Sequence, residues 1–165
     1  MGGVVINSQQ VRVIAASGAA VSCAADVAEN TLATITVPAG LMGLNGTLRV
    51  TTLWSWTNSA NNKTAKIYFG AAGAGTGGTL YMSTIYTTTT GTRDQRQVTN
   101  RNSASSQVGG ANGFMTAAGW GTTSGAVVTS TVNTGTASEI VLTGQKASAG
   151  ETLTLESYLV ELIAP

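Results

Sequence analysis

The most obvious candidates for acid–base chemistry in this sequence are seven carboxylates, and it contains no histidine. That removes the commonest general base and metal ligand. A Ser–His–Asp triad or a Cys–His pair cannot form, and the usual forms of zinc catalysis are disfavoured. The carboxylates are Asp26, Glu29, Asp94, Glu139, Glu151, Glu156 and Glu161. Glycoside hydrolysis needs two of them facing at roughly 5–9.5 Å. Glu139 and Glu156 are the pair that could face one another across strands. Scattered acids are mostly surface residues, so solvated strand positions are the plainer expectation. Calcium needs oxygen ligands clustered in one loop, and no Asp-rich loop is present. No catalytic residue, cofactor or metal is assigned, and the chain is read as a non-enzyme.

Gly73-x-Gly75-x-x-Gly78 matches a dinucleotide fingerprint in spacing. The fingerprint must open a helix whose N-terminus holds the pyrophosphate. Here it leads into TLYMSTIY, a strand pattern, so it reads as a flexible loop. Arg93, Arg96 and Arg101 form one basic cluster. They could contact an acidic neighbour, since the guanidinium fork pairs carboxylates bidentately. The plainer reading is an edge strand guarded by charge against wrong pairing, a routine need. Trp54, Trp56 and Trp120 could stack on sugars. Trp54 and Trp56 share parity with Leu48 and Val50, however, which is the pattern of a core or subunit-packing face. Asn45-Gly46-Thr47 and Asn62-Lys63-Thr64 are formal glycosylation sequons at predicted turns and are read as turn chemistry. Cys23 is alone, which rules out an internal disulfide.

The elements that would position these residues are strands. The 165 residues suit one domain. Charged residues are 9% and hydrophobic ones 42%, which argues against disorder. Net charge is +1, giving no general pull toward nucleic acid or anionic membrane. No apolar run approaches the ~18 residues of a membrane span. MGGVVINSQQ matches neither a secretion signal nor a myristoylation site. Synthesis in a cytoplasm, with retention there until assembly or lysis, is the expectation.

Val11 to Ile14 reads as a short first strand. Ala15 to Asn30 lacks a clean stripe and reads as an arm or loop, with a short helix possible near Ala24 to Glu29. Thr31 to Val37 alternates, with Leu32, Ile35 and Val37 apolar. Pro38-Ala39-Gly40 stops it, and Asn45-Gly46 marks a tight turn. Thr47 to Thr57 has period two: Leu48, Val50, Thr52, Trp54 and Trp56 share one face, and Arg49, Thr51, Leu53 and Ser55 the other. Lys63 to Phe69 returns after a polar turn. Thr79 to Thr90 reads as a strand with Leu80, Met82 and Thr84 against Tyr81, Ile85 and Tyr86. Arg93 to Asn102 reads as an exposed or edge strand, and Ser103 to Gly125 as loop. Ala126 to Val132 and Ser138 to Thr143 are short strands. Thr152 to Ile163 closes the chain, and its parity slips between Leu155 and Tyr158, marking a bulge near Ser157.

About eight strands with Gly-rich turns and almost no helix predict an all-β antiparallel sandwich. A jelly roll is preferred because it limits open edges, with an immunoglobulin-like sandwich second. The expected division is an N-terminal arm, or a first short strand plus loop, over 1–30, followed by the sandwich over 31–165.

Three stretches carry a resemblance: Thr31–Gly46 (TLATITVPAGLMGLNG), Leu48–Gly70 (LRVTTLWSWTNSANN followed by KTAKIYFG), and Leu142–Leu162 (LTGQKASAGETLTLESYLVEL). They resemble small structural proteins of tailed bacteriophages and cover roughly half the chain, leaving Ala71 to Ser138 uncovered. The resemblance implies a β-sandwich in a virion, as a head decoration or tail appendage module. It implies the major capsid protein or other virion proteins as partners, a homotrimer, and neither nucleic acid nor membrane as ligand. It carries over no catalytic residue. On that basis the candidate subunit or capsid contacts are Val11 and Val13 on the arm, together with Arg93, Arg96 and Arg101. The alternative is a tail or fibre module binding a host surface glycan, with Trp120 and the 109–125 loop as its site.

Overall fold

The structure, a computed structural model, describes residues 10–110 and 127–164. Eleven strands fill the described residues: β1 (Gln10–Ser17), β2 (Val21–Ser22), β3 (Asn30–Val37), β4 (Thr47–Trp56), β5 (Lys63–Ala71), β6 (Thr79–Tyr86), β7 (Gly91–Asn100), β8 (Gln107–Gly110), β9 (Val127–Ser130), β10 (Ser138–Lys146) and β11 (Leu153–Ala164). They form two antiparallel sheets. The larger has the order β1-β11-β4-β7-β8-β9, with β2 also on β11, and the smaller β3-β10-β5-β6. The pairs nest along the chain: β5 with β6, β4 with β7, β3 with β10, and β1 with β11. That is a long antiparallel ribbon rolled so that its pairs alternate between sheets, the jelly-roll arrangement. Eight strands make the roll, while β2, β8 and β9 extend its larger sheet.

The core lies where the inward parities of both sheets meet. Leu48, Val50, Trp54 and Trp56 of β4 face Ile67 and Phe69 of β5 and Ile140 and Leu142 of β10, all buried. Each such side chain contributes roughly 1.5–3 kcal/mol by leaving water. Trp54 donates its indole N–H to Thr52 Oγ1 at 2.9 Å. Trp56 stacks on Tyr86 with ring centroids 4.2 Å apart. Both are core residues, so neither offers a sugar platform.

Bulges restore the inward pattern where parity slips. On β11 the register passes from Leu155↔Trp54 to Ser157↔Leu53, leaving Glu156 as the extra residue. Leu153 and Leu155 then point inward before the bulge, and Val160 and Leu162 after it. A second bulge, on β6, leaves Tyr81 unpaired between Leu80 and Met82. It turns both Tyr81 and Met82 inward and leaves Leu80 40% exposed, against the alternation expected there.

Several sequence expectations need correction. The segment 38–46 joins β3 to β4 in the other sheet, so Asn45-Gly46 closes no hairpin. Gly46 N–H instead donates to Met42 O at 2.8 Å. Ala24 to Glu29 forms bends without a helix, and β8 emerges from a stretch read as loop. The first strand runs to Ser17 rather than Ile14. Within the stretch expected as an arm or as a first short strand plus loop, residues 1–9 lie outside the described residues and Gln10–Ser17 form that first strand, paired with β11 of the same chain.

Candidate functional site

Every one of the seven carboxylates has a structural partner, Asp26 only within its own loop. Glu139, on β10, is 5% exposed rather than solvated. Its two oxygens accept the N–H groups of Gly73 (3.0 Å) and Gly75 (2.6 Å). Both glycines have positive φ, 85° and 55°, which turns their amides toward one point as an anion-binding nest. The loop that spaces like a phosphate cradle thus holds a carboxylate of its own chain, and a 3-10 turn at Gly75–Gly77 follows. The expected flexible loop is clamped. Glu156 lies on β11 and accepts from Ser55 Oγ on the outside of the other sheet. Glu139 and Glu156 therefore sit on opposite outer faces of the sandwich and cannot flank a glycosidic bond.

Glu29 accepts from Lys66 Nζ, from Thr143 Oγ1 at 2.6 Å and from Tyr68 Oη at 2.9 Å. Burial alone would raise its pKa, but these three donors together hold it below the usual carboxylate range. Glu161 pairs with Arg49 at 2.9 Å, and Asp94 accepts from Tyr86 Oη. Glu151 accepts from Ser59 Oγ and Asn61 and lies 3.5 Å from Lys63 Nζ. Lys63 and Lys146 are cross-strand neighbours at one end of the sandwich, both buried. Lys63 Nζ donates to Asn61 O (2.8 Å) and Ser59 Oγ (2.7 Å), and Lys146 Nζ to Glu151 O (2.9 Å). Two ammonium groups thus fasten the 57–62 and 147–152 loops. Among the described residues no group of three or more His, Cys, Asp or Glu could hold a metal ion.

The three arginines do not form one cluster. Arg93 and Arg96 differ in strand parity, so they leave β7 on opposite faces. Arg96 points inward and is 4% exposed, with Nη1 on Gln95 O (3.1 Å), Nη2 at 3.5 Å from Thr84 Oγ1, and Nε without an acceptor. Burial lowers its pKa, opposed by the Asp94 charge. Arg101 is exposed beyond the end of β7. Arg93 is exposed on the outer face of the larger sheet, beside Leu53 of β4. β7 is also not a simple edge, since β8 pairs with Thr99 and Asn100.

That outer face is ordered in rows across β1, β11, β4 and β7. Val11, Ile163, Thr47 and Thr99 make one row; Val13, Glu161, Arg49 and Gln97 the next; Ala16, Leu159, Thr51 and Gln95 the third; Ser157, Leu53 and Arg93 the last. Polar members satisfy one another: Thr47 with Thr99 at 2.9 Å, Gln95 with Thr51 at 3.2 Å, Arg49 with Glu161. Val11 (55%), Val13 (56%) and Leu53 (44%) remain exposed. The Glu156 bulge opens a shallow depression of about 280 Å³ in the last rows, lined by Thr51, Leu53, Arg93, Ser157, Tyr158 and Leu159 among others. The structure therefore brings Val11, Val13 and Arg93 onto one face, while Arg96 is withdrawn into the interior. Trp120 and most of the 109–125 loop lie outside the described residues.

Sequence reasoning missed the depression and the Glu139 clamp. Leu53 gave a usable signal, as an aliphatic residue in the polar parity of β4. Glu139 gave none, because its partners are backbone amides 64 and 66 residues away.

No family model matches the chain, and no curated protein matches it. Among solved structures it is similar to the CBM2 module of the evolved Dit of Lactobacillus casei BL23 phage J-1. The identity is 11%, over 80% of this chain and 69% of that one, with a TM-score of 0.43. It is also similar to chains of infectious bursal disease virus. For the Gt strain the identity is 15%, covering 96% of this chain and 34% of that one, with a TM-score of 0.36. For the Gx strain the values are 12%, 96%, 42% and 0.27. These likenesses are distant, and the architecture stands on the chain's own strand pairing.

Proposed function

We propose that this chain is a non-enzymatic structural component of a tailed-phage virion, a head decoration protein that cements the shell across subunit boundaries as a homotrimer. The observation that carries the reading is the outer face of the larger sheet. It is internally hydrogen-bonded and carries Val11, Val13, Leu53 and Arg93 on one face. A rigid sheet of this kind suits burial against a protein surface, because its side chains are already ordered and lose little entropy on docking. The carboxylates that could do chemistry are tied to structural partners, which supports a binding role. The resemblance of three strand-and-turn stretches to small phage structural proteins suggests the virion setting. Cementing would follow from mass action: a protein that binds only the assembled shell stabilises it by about 2.7 kcal/mol at a hundredfold excess over Kd.

Gold-labelled antibody on intact particles tests the location. Label spread over the head supports the decoration reading. Label confined to the tail or its tip overturns it in favour of the appendage reading, whose glycan contact would be Trp120. In that case Trp120→Ala abolishes cell binding, whereas a decoration protein keeps its particle binding after the same change.

A further inference from the structure

The chain is almost neutral, yet its free surface charge is not. All eight basic and seven acidic side chains lie among the described residues. Glu29, Glu161 and Glu151 are engaged by cations, Glu139 by backbone amides, and Asp94 and Glu156 by hydroxyl groups. Asp26 alone is exposed without a side-chain cation, accepting only from Ala28 N and Asn30 Nδ2. On the basic side, Arg12, Arg93 and Arg101 are exposed and belong to no ion pair among the described residues. Three acids are neutralised by cations, and among the exposed charges outside those pairs three cations stand against one acid, Asp26. The complementary partner is acidic.

Of these three, Arg93 lines the depression on the outer face. Its neighbour Leu53 is exposed and Leu159 also lines the depression, while Glu156, which accepts from Ser55 Oγ, is not among the lining residues. At about 280 Å³ the hollow is smaller than most small-molecule sites and suits one side chain. Its pairing of an arginine with exposed Leu53 matches a protein surface, where Arg and apolar residues are enriched.

We infer that the Arg93 depression is the anchor for an Asp or Glu side chain of an acidic protein partner, with an aliphatic neighbour of that residue against Leu53. This rests on the assembly role above and adds the chemistry of the partner. A bidentate pair, partly shielded by Leu53 and Leu159, orients the partner as well as holding it.

Two arms test it with the whole chain. In the first, the 15N-labelled protein is titrated with the blocked peptide Ac-Leu-Glu-Leu-NH2, its Gln counterpart, and N-acetylneuraminic acid. The expected result is amide shifts confined to Thr51, Leu53, Arg93, Ser157 and Leu159 with the Glu peptide, and none with the Gln peptide. Equal shifts with both peptides, shifts centred on Arg12 or Arg101, or a response to the acidic sugar alone overturn the anchor. In the second arm, wild type, Arg93→Ala and Arg93→Glu are bound to virions stripped of the chain, with folding checked by thermal melts. Loss of a charge-assisted pair predicts roughly tenfold weaker binding for Arg93→Ala and more for Arg93→Glu. Wild-type binding matched by Arg93→Glu sinks the anchor and leaves the assembly role standing. No wild-type binding sinks the assembly role, and the peptide arm then decides the anchor alone. If Asp26→Asn abolishes a self-association that Arg93→Glu also abolishes, the occupant is a second copy and the inference of a foreign partner falls.

Discussion

At the level of single residues, buried polar groups decide where substitutions hurt. Gln107 is fully buried and uses both ends of its amide. Its Oε1 accepts from Ser130 Oγ (2.9 Å) and Val132 N (3.0 Å), and its Nε2 donates to Asn100 Oδ1 (2.9 Å) and Val132 O (3.0 Å). Gln107→Ala would strand several of these groups and open a cavity, costing roughly 2–4 kcal/mol in urea unfolding. Arg49→Ala, at a pair where the arginine is 30% exposed, should cost no more than about 1 kcal/mol in the same assay. Glu29 predicts a pH dependence. Its folded pKa is depressed, so its contribution to stability is present above the unfolded value of about 4.3 and is lost as pH falls through the lower folded value. The stability gap between wild type and Glu29→Gln should therefore narrow as pH falls from about 5 to about 3. A gap that stays constant over that window would show that Glu29 is not depressed by its donors.

Among the elements, the clamped glycine loop and the β7–β8 contact make the sharpest predictions. Glu139→Gln replaces one acceptor oxygen by a donor facing an amide. Hydrogen exchange at Gly73 and Gly75 should then accelerate, while exchange in β10 stays protected. Gly109 has no room for a side chain, since a Cβ there would lie 2.7 Å from two ring carbons of Tyr81 and against the Gln97 carbonyl. Gly109→Ala should cost about 1–3 kcal/mol by overpacking, read from the denaturation midpoint. What the sequence made legible at this scale was local. The period of β4 fixed its two faces, and the slip after Leu155 located the β11 bulge to within a residue. What it concealed was which strands are neighbours. Asn45-Gly46 looks like a hairpin because turn chemistry is local, whereas the crossing from β3 to the other sheet is set by nested pairing that no short window contains. Arg96 misled for a related reason. Its charge suggested surface, while its parity with Val98 and Asn100, both buried, pointed inward.

For the molecule as a whole, nested pairing means that most native contacts join distant parts of the chain. β1 meets β11 through pairs such as Gln10↔Ala164, and β3 meets β10 through Val37↔Ser138. Loop closure must precede the reward, so refolding is expected on the millisecond-to-second scale typical of non-local β topologies. Stopped-flow fluorescence from buried Trp54 and Trp56 would report it, and microsecond folding would contradict the nested order. The same pairing has a mechanical consequence. Gln10 and Ala164 leave the sheet side by side, at the same end of an antiparallel ladder whose hydrogen bonds run perpendicular to the strands. Tension applied through residues on either side of that pair loads the bonds one at a time, like a zipper, rather than shearing the ladder as a unit. Load that enters instead through the broad face of the larger sheet is shared by many rows at once.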